Sequence, residues 1–597
     1  MSIFWDQLFG LLIILIAALL FAGVYREISR RLSGVAERLE DPGTDHGSRG
    51  AMVRRHTGRP GPVPEELPGF EKPAEPEKKG WLRNTVAEAG GFMSGIFRAL
   101  STREVLGRIA VDMLVIALVS ALLAIFAGST IGGLDIYMST FLPMLGVMLA
   151  LFAFTEAVNG SRVLAVITGI LILTGVLLQS LLKLSKMAPS ASELVTFAVI
   201  SMCAGIIGCF FLRMFAEKFP RKVAMWLLGL AVAGIYAVLF VFGKEVAGTT
   251  AWLIVGGFSF QLTELTKVMT LLFYGLVFTD QDLTPDKRLV LTLIILAVNG
   301  VALLLLNELG TLCILGLAFF LMGWIYLPDV RKLVALALVL VLLASLVLGL
   351  CFLCNKALHP AVAPEATETT APAETTAPTE AAEATEATAP AETTPATEPA
   401  GGSGEEKEEK SLAEKAISLG DKIWRKFKLR VDLVLHPDTV DPLDGGYQTA
   451  KAQNALSLST ALGSRYEVDI PVVQSDYIFT FLVLKMGVVY ALIVLMAMLL
   501  MLVTGLQGCL ANPKSAVAAV GVAFTLGMVI QSLIAAASAT GAFIVIGLPF
   551  SFLSDGGTAA VTNYMMAVFI IYATGGIVKS SREERKQTEA LSRKERV

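Results

Sequence analysis

Three aspartates lie close together in a polar stretch of the chain, residues 435–448, which reads LHPDTVDPLDGGYQ. Asp441 differs from Asp438 and Asp444 because a proline follows it directly, and the residue before a proline seldom continues a helix. The glycine pair further on allows the backbone to approach a ligand closely. A carboxylate in such a loop can accept a proton or bind a cation. Asp441 is therefore the aspartate of this loop best placed for chemistry, against the alternative that it only forms a turn with the proline.

The composition predicts the kind of protein in which this loop lies. Hydrophobic residues make up 55% of the 597 positions and charged residues 17%, a balance typical of a polytopic membrane protein. We predict an all-α fold that crosses the membrane many times. The net charge of -3 does not favour nucleic acid as a partner. The four histidines lack metal-ligand spacing, so a zinc site is not expected.

Apolar runs near the length of about 20 residues that spans a bilayer predict about thirteen transmembrane helices. They lie near residues 8–24, 109–127, 134–156, 163–182, 193–213, 222–243, 254–278, 288–306, 308–327, 331–354, 477–504, 515–546 and 559–578. Basic residues concentrate in the turns at 218–222, 287–288 and 331–332 and in the tail from residue 579. Basic turns stay in the cytoplasm, which places the N-terminus and the loop 355–475 outside and the C-terminus inside.

The charge and composition pattern divides the chain into eight parts. They are a membrane anchor (1–31), a cytoplasmic disordered linker (32–108), an additional helix pair (109–160), a first core part (161–354), a Thr/Pro/Glu/Ala-rich tether (355–410), a loop of catalytic type (411–475), three last helices (476–579) and a basic cytoplasmic tail (580–597). Within the loop, residues 411–435 form a basic amphipathic segment, which suits a membrane surface or an anionic headgroup.

Charged residues inside the apolar runs are further candidates. Glu264 and Lys267 are three residues apart on one helix face, so they either neutralise each other as a structural pair or contact substrate. Glu308 is expected to begin a helix, where its carboxylate either caps the helix or lines a cavity. For Asp476, which precedes another helix, we predict a cap. Asp555 is expected in a fold-back turn at the end of a broken helix.

Five stretches, in order along residues 162–579, resemble motifs of the SEDS family of cell-wall polymerases, the FtsW/RodA/SpoVE group. They are WLIVGGFSFQLTELTK (252–267), NELGT (307–311), DPLDGGYQ (441–448), PVVQSDYIF (471–479) and GLPFSFLSDGG (547–557). The resemblance implies a core of ten transmembrane helices, to which about three N-terminal helices are added here. It further implies a multi-pass protein of the bacterial cytoplasmic membrane.

The resemblance also implies an activity. It predicts a peptidoglycan glycosyltransferase that polymerises lipid II, the undecaprenyl-linked disaccharide, in cell division, elongation or sporulation. Asp441 stands where the family has the aspartate on which polymerisation depends, and Mg²⁺ or Mn²⁺ could bind there; no organic cofactor is expected. The implied protein partner is a class B penicillin-binding protein, a transpeptidase. The motif residues expected to bind substrate or line the cavity are Trp252, Gln261, Glu264, Lys267, Glu308, Gly445, Gly446, Tyr447, Gln448, Asp476, Ser554, Gly556 and Gly557.

Two other functions stay open from the sequence. Ala251 precedes the tryptophan where the family has basic residues, Val472 replaces a glutamate, and Lys485 and Met486 stand where it has an acidic pair. These changes favour a non-catalytic scaffold that recruits a transpeptidase. Many helices with intramembrane charges are also typical of a flippase or transporter.

Overall fold

The structure is a computed structural model of the chain. It describes residues 102–131, 140–183, 191–246, 249–255, 258–358, 412–436, 440, 446–464, 466–555 and 557–594. The predicted anchor and nearly all of the linker and tether lie outside these residues.

Fourteen helices and three strands make up the described part of the chain. In order they are α1 (Arg103–Ile131), α2 (Leu142–Val158), α3 (Arg162–Lys183), α4 (Ala191–Glu217), α5 (Arg221–Phe242), β1 (Lys244–Val246), β2 (Thr249–Val255), β3 (Phe258–Gln261), α6 (Leu262–Phe278), α7 (Pro285–Leu305), α8 (Leu309–Tyr326), α9 (Val330–Leu358), α10 (Leu412–Leu435), α11 (Tyr447–Ser457), α12 (Ile478–Leu510), α13 (Ala516–Ala539) and α14 (Gly557–Lys594).

The predicted helical membrane fold is confirmed. Ten of the described helices are long and apolar enough to cross a membrane, and α2, with 17 residues, is a shorter apolar helix. Their surfaces carry many exposed leucine, valine and isoleucine side chains, as lipid-facing helices do. The count of about thirteen stays a prediction, because the run at 8–24 lies outside the described residues.

One predicted span, residues 254–278, is wrong in its first part. The chain there forms an antiparallel three-stranded sheet in the order β1-β2-β3, and the helix α6 starts only at Leu262. A continuous apolar run before a Gly-Gly pair and the alternating residues FSFQ after it suit a hairpin, but average hydropathy cannot distinguish such a short apolar run from a helix. The hairpin pairs Trp252 with Gln261, so two predicted site residues face each other at the end of the bundle. We call this end the hairpin side.

The core lies around α13. This helix is buried along nearly its whole length, and it packs against α6, α8, α12 and α14. The helices α1 and α2 pack against each other and against α3. Because α13 is buried, its polar side chains bond within the protein, as Thr525 and Ser532 do by donating to carbonyl oxygens of their own helix.

The helix α12 is broken near its start at Gly487, where φ is 88° and ψ is 165°. A Cβ at this position would lie 2.4 Å from the carbonyl oxygen of Ala461, so glycine is required there. The loop before the helix binds the backbone groups that the break exposes. Ser464 N donates to Leu484 O at 2.7 Å, and Val488 N donates to Thr460 O at 3.2 Å. Irregular backbone at membrane depth is tolerated where the protein satisfies it in this way.

The chain divides into two compact units. The larger contains residues 1–334 and 432–597, and the smaller contains residues 335–431, which include most of α9 and α10. All residues of the candidate site described below belong to the larger unit.

Candidate functional site

Gln261 joins three elements on the hairpin side. Its side-chain Nε2 donates to Glu308 Oε1 at 2.9 Å, and its backbone N donates to Thr558 Oγ1 at 3.0 Å. Glu308 lies at the start of α8 and Thr558 at the start of α14. The hairpin, and with it the half-buried Trp252, is therefore held against the ends of both helices.

The carboxyl group of Glu308 is buried, with 7% of the residue exposed. It occupies the N-cap position of α8 but makes no side-chain capping bond; it accepts a hydrogen bond from Gln261 instead. Burial raises the pKa of Glu308 to about 7. The hydrogen bond from Gln261 and the charge of Lys267 lower this pKa, whereas the charges of Glu264 and Asp476 raise it. The side chain therefore does not cap α8, and its role in lining a cavity stays a prediction. With its pKa near 7, this carboxyl can exchange a proton near neutral pH.

A second set of residues, which we call the central cluster, lies one turn further into α6. Lys267 Nζ donates to Glu264 Oε2 at 2.6 Å and to Gln531 Oε1 at 2.5 Å. Thr562 Oγ1 donates to Glu264 Oε2 at 3.1 Å, and Gln531 Nε2 donates to Pro549 O at 2.8 Å. The central cluster, Glu264, Lys267, Gln531 and Thr562, links α6 to α13, α14 and the segment between them.

The side chains of this ion pair are shielded from solvent almost completely. Lys267 is 0% exposed and Glu264 2% exposed. A buried ion pair is tolerated when further hydrogen bonds satisfy its donors and acceptors, and here two neutral side chains supply them. Because Lys267 Nζ and Glu264 Oε2 are bonded to each other and to neutral side chains of the protein, the geometry supports the structural role of Glu264 and Lys267.

The segment 541–555 between α13 and α14 is non-helical and packs on the turn before α12. Ser554 Oγ donates to Ser475 O at 2.6 Å and accepts from Phe550 N at 2.7 Å, while Asp555 N donates to Gln474 O at 2.8 Å. Gln179 of α3 donates to the carbonyl oxygens of Gln474 and Leu553, both at 3.0 Å. The fold-back that contains Ser554 is thus fixed by hydrogen bonds to two other parts of the chain.

The predicted capping role of Asp476 is wrong. Tyr477, the next residue, occupies the N-cap of α12. Asp476 lies in a turn at residues 472–476, where its backbone N donates a hydrogen bond to Val472 O at 3.1 Å. The carboxylate lies against Gly547, where an added Cβ would be 2.7 Å from Asp476 Oδ2. Burial raises the pKa of Asp476 above its usual value, and a hydrogen bond with Ser475 partly offsets this.

The predicted catalytic loop is described only in its last part. Asp441, Gly445 and also Gly556 lie outside the described residues. Gly446 is buried at the start of α11, Tyr447 is half-buried and Gln448 is exposed. These residues share no hydrogen bond with Glu308 or the central cluster in the described structure. Their roles in substrate binding stay a prediction.

The loop nevertheless ends close to the hairpin side. Thr449 Oγ1 and the Tyr477 hydroxyl are 3.5 Å apart, and Tyr477 follows Asp476 directly. Lys451 Nζ lies 5.5 Å from the centre of the Tyr447 ring, a cation–π distance. This contact holds the first turn of α11 against the residue that precedes α12.

The described residues do not by themselves form a metal centre. Among them no three His, Cys, Asp or Glu side chains converge to hold an ion. A site for Mg²⁺ or Mn²⁺ would need Asp441, and it stays a prediction.

The sequence interpretation missed the neutral partners of the central cluster. Gln531 and Thr562 are polar residues within apolar runs, as is Gln179 on α3. Polar side chains in membrane helices usually face the interior of the bundle, and this signal could have identified all three. Gly557 begins α14, with an aromatic carbon of Phe197 3.7 Å from the position of an added Cβ.

Two solved structures are similar to this chain. A chain from a peptidoglycan synthase complex that coordinates polymerization and crosslinking is 17% identical, covering 70% of this chain and 97% of that one with a TM-score of 0.47. The rod shape determining protein RodA of Thermus thermophilus is 14% identical, covering 70% of this chain and 96% of that one with a TM-score of 0.39. The comparison with curated protein sequences gives no match.

The sequence pattern of the FtsW/RodA/SpoVE family, described as cell cycle proteins, matches residues 157–357 and 419–575. The two matched regions cover more than half of the chain, and they contain every predicted site residue. The match includes α3 to α9 and the helices from α11 to α13, and it leaves out α1 and nearly all of α2. The resemblance seen in the sequence is confirmed, and the chain belongs to the FtsW/RodA/SpoVE family.

Proposed function

We propose that the chain is a peptidoglycan glycosyltransferase that polymerises lipid II at the outer face of the cytoplasmic membrane. The observation that carries this proposal is the family match over both halves of the helical core, since membership supports a role in peptidoglycan synthesis. The proposed topology, with the loop that holds Asp441 outside, puts the reaction on the side where the hairpin lies.

The reaction joins one lipid-linked disaccharide to another. The 4-hydroxyl of the acceptor sugar must lose a proton while the anomeric carbon of the donor releases undecaprenyl diphosphate. In the proposal Asp441 accepts this proton. A divalent cation, when bound, would neutralise charge on the leaving diphosphate. The sequence resemblance, in which Asp441 stands at the family's essential aspartate, supports this role for Asp441.

Glu308 and Asp476 are proposed to contact the sugar rather than the diphosphate. Their pKa values are raised by burial, which reduces the negative charge that would repel a diphosphate. A protonated or partly protonated carboxyl also donates a hydrogen bond, which suits sugar hydroxyls. In this proposal the central cluster stabilises the packing of α6, α13 and α14 next to Glu308 and Asp476.

The test is polymerisation by the purified full chain. The protein is reconstituted in liposomes with labelled lipid II, with and without Mn²⁺ or Mg²⁺, and the products are separated by size. Glycan strands from the wild type, and none from Asp441→Ala of equal thermal stability, are the expected results. If the wild type makes no strands under any of these conditions, the enzyme proposal fails.

A non-catalytic scaffold for a class B penicillin-binding protein is the second candidate function. The observation that favours it concerns Lys485, which stands where the family has an acidic residue. Its Nζ donates to Tyr466 O at 2.9 Å, so this position holds a loop instead of offering a carboxylate. Restoration of wall growth by Asp441→Ala in cells depleted of the wild type would favour the scaffold, whereas failure would favour the enzyme.

A further inference from the structure

A groove opens between the helices α5 and α7 on the surface of the bundle. Both helices are long and apolar enough to cross a membrane, and the groove lies within these spans. Its volume is about 570 Å³, within the range of about 300–1,000 Å³ that is usual for ligand pockets. Three of the residues that line it, Ala233, Ala237 and Ala297, are exposed alanines. Their short side chains leave room for a ligand between the two helices.

Hydrogen bonds hold the floor of the groove together. Tyr236 of α5 donates to Asn299 Oδ1 of α7 at 2.6 Å, and its hydroxyl lies 3.2 Å from Thr266 Oγ1 of α6. Asn299 Nδ2 donates to Ile295 O at 2.8 Å. Tyr236 and Asn299 are buried, so their polar atoms are satisfied beneath the groove and its surface is apolar. An apolar chain therefore suits the groove, whereas a sugar or an ion needs polar partners that this surface does not offer.

Two arginines fix the ends of α5 and α7 that lie away from the hairpin side. Arg221 Nη1, at the start of α5, donates to Thr279 O at 2.7 Å. Arg288 Nη1, in the first turn of α7, donates to Phe278 O at 3.2 Å. Both carbonyl oxygens lie at the end of α6, where a helix favours cations. The groove therefore lies between two helices whose spacing is fixed at this end by α6 and further along by Tyr236.

The groove ends next to the candidate site. Phe240 and Leu305, which line it, lie close to the ends of α5 and α7 that lead to the hairpin side. Glu308 follows Leu305 by three residues. The strand β2 lies against this end of α7, because Thr250 N donates to Leu306 O at 3.3 Å. The groove thus leads from the lipid-facing surface to the end of the bundle where Glu308 lies.

We propose that this groove binds the isoprenoid chain of a lipid-linked sugar whose diphosphate and sugar lie on the hairpin side. The proposal rests on the proposed function, which requires such a lipid to enter from the membrane. Continuity of the groove with Gln261 and Glu308 carries it. Methyl branches make an isoprenoid chain wider than a straight acyl chain, and Ala233 and Ala237, one helical turn apart, provide space for them. Lys244, exposed two residues after α5 ends, brings a positive charge to the end where the diphosphate would lie.

The experiment labels the full chain with a polyprenyl diphosphate that carries a diazirine in its isoprenoid chain. The protein is reconstituted in phosphatidylcholine liposomes, irradiated and digested, and the labelled residues are mapped by mass spectrometry. We expect labels on residues 233–240 and 297–305, and we expect undecaprenyl diphosphate to displace them. An equal excess of phosphatidylglycerol should leave them in place. Labels spread evenly over the lipid-facing helices, or removed by phosphatidylglycerol, would overturn the proposal without any variant.

A matched pair of double variants locates the binding to the groove. Ala237→Trp with Ala297→Trp fills the groove with two indole rings and should reduce labelling of α5 and α7 at least about fivefold. The control, Ala110→Trp with Ala335→Trp, adds the same rings at exposed alanines of α1 and α9 and should be labelled like the wild type. Each variant is checked for wild-type thermal stability. Undiminished labelling of α5 and α7 in the first variant would contradict binding in the groove.

Strand formation from lipid II separates this proposal from the proposed function. If the wild type makes glycan strands but the labels do not map to the groove, the groove proposal fails and the proposed function stands. If the labels map to the groove but no strands form under any of the conditions above, the groove proposal stands and the polymerase proposal fails.

Discussion

Two groups of ion pairs in the larger unit differ sharply in their surroundings. In the central cluster, Lys267 and Glu264 are 0% and 2% exposed and are 2.6 Å apart. The second group, which we call the peripheral cluster, consists of Arg108, Asp112, Glu156 and Arg162. Its arginine side chains are 29% and 38% exposed, at contact distances of 2.7 Å and 2.6 Å. Similar distances therefore occur in very different dielectric surroundings.

The two clusters also join different parts of the chain. The peripheral cluster connects α1 and α2 to Arg162 at the start of α3, and so joins helices outside most of the family match to the first matched helix. The central cluster connects helices within the match. In the peripheral cluster, partly exposed arginines pair with carboxylates that are only 9% exposed, whereas the central cluster is shielded almost completely and adds two neutral partners.

The largest effect is expected from removing one charge of the central cluster. Lys267→Met leaves Glu264 buried without its cation, which should lower the free energy of unfolding by about 3–5 kcal/mol. The double variant Glu264→Gln with Lys267→Met should recover much of this loss. Unfolding in mixed micelles with increasing SDS measures both. If the double variant lowers the free energy of unfolding by as much as the two single variants added together, mutual neutralisation does not explain the role of the pair.

The buried carboxyl of Glu308 should make the free energy of unfolding depend on pH. Its pKa is about 7 in the folded chain and about 4.5 in the unfolded chain, so between these values the folded state binds more protons. The free energy of unfolding should therefore fall by about 3 kcal/mol as the pH rises from about 4.5 to about 7. Glu308→Gln should flatten this dependence, as measured by unfolding at a series of pH values. An unchanged slope would show that other groups cause it.

Replacing Gln531 measures how much a neutral partner of the central cluster contributes to the free energy of unfolding. Gln531→Leu removes the hydrogen bonds to Lys267 and Pro549 but keeps the ion pair, and should cost about 2 kcal/mol. The control is Thr504→Ala on α12, whose hydroxyl binds carbonyl oxygens of its own helix. The control should change the free energy of unfolding by less than about 0.5 kcal/mol. Equal losses in the two variants would contradict a specific role for Gln531.

The smallest effect is expected in the peripheral cluster. Arg162→Ala should lower the free energy of unfolding by only about 1 kcal/mol, because partly exposed ion pairs are screened by water. Added salt should reduce the difference between the variant and the wild type, whereas it should leave the effect of Lys267→Met nearly unchanged. A loss as large as that of Lys267→Met would remove the distinction between the two clusters.

The long transmembrane helices could be predicted from the sequence, because their average hydropathy is high over about 20 residues. Long apolar runs identified α3, α5 and α13, and the three-residue spacing correctly suggested the pair of Glu264 and Lys267. The hairpin that contains Trp252 was missed because its first strand is a continuous apolar run, which periodicity cannot distinguish from a buried helix. Asp476 was misplaced because a turn that uses its own backbone N–H precedes α12, and no local pattern signals such a turn.

The most direct test of the central claim compares two neighbouring aspartates in the same loop. Initial rates of glycan strand formation from labelled lipid II are measured for Asp441→Asn and Asp444→Asn, each checked for wild-type thermal stability. Both changes remove one carboxylate from the same stretch, so they alter net charge equally. We predict a loss of at least about 100-fold for Asp441→Asn and a rate within about threefold of wild type for Asp444→Asn. Equal rates for the two variants would contradict the assignment of Asp441 as the base.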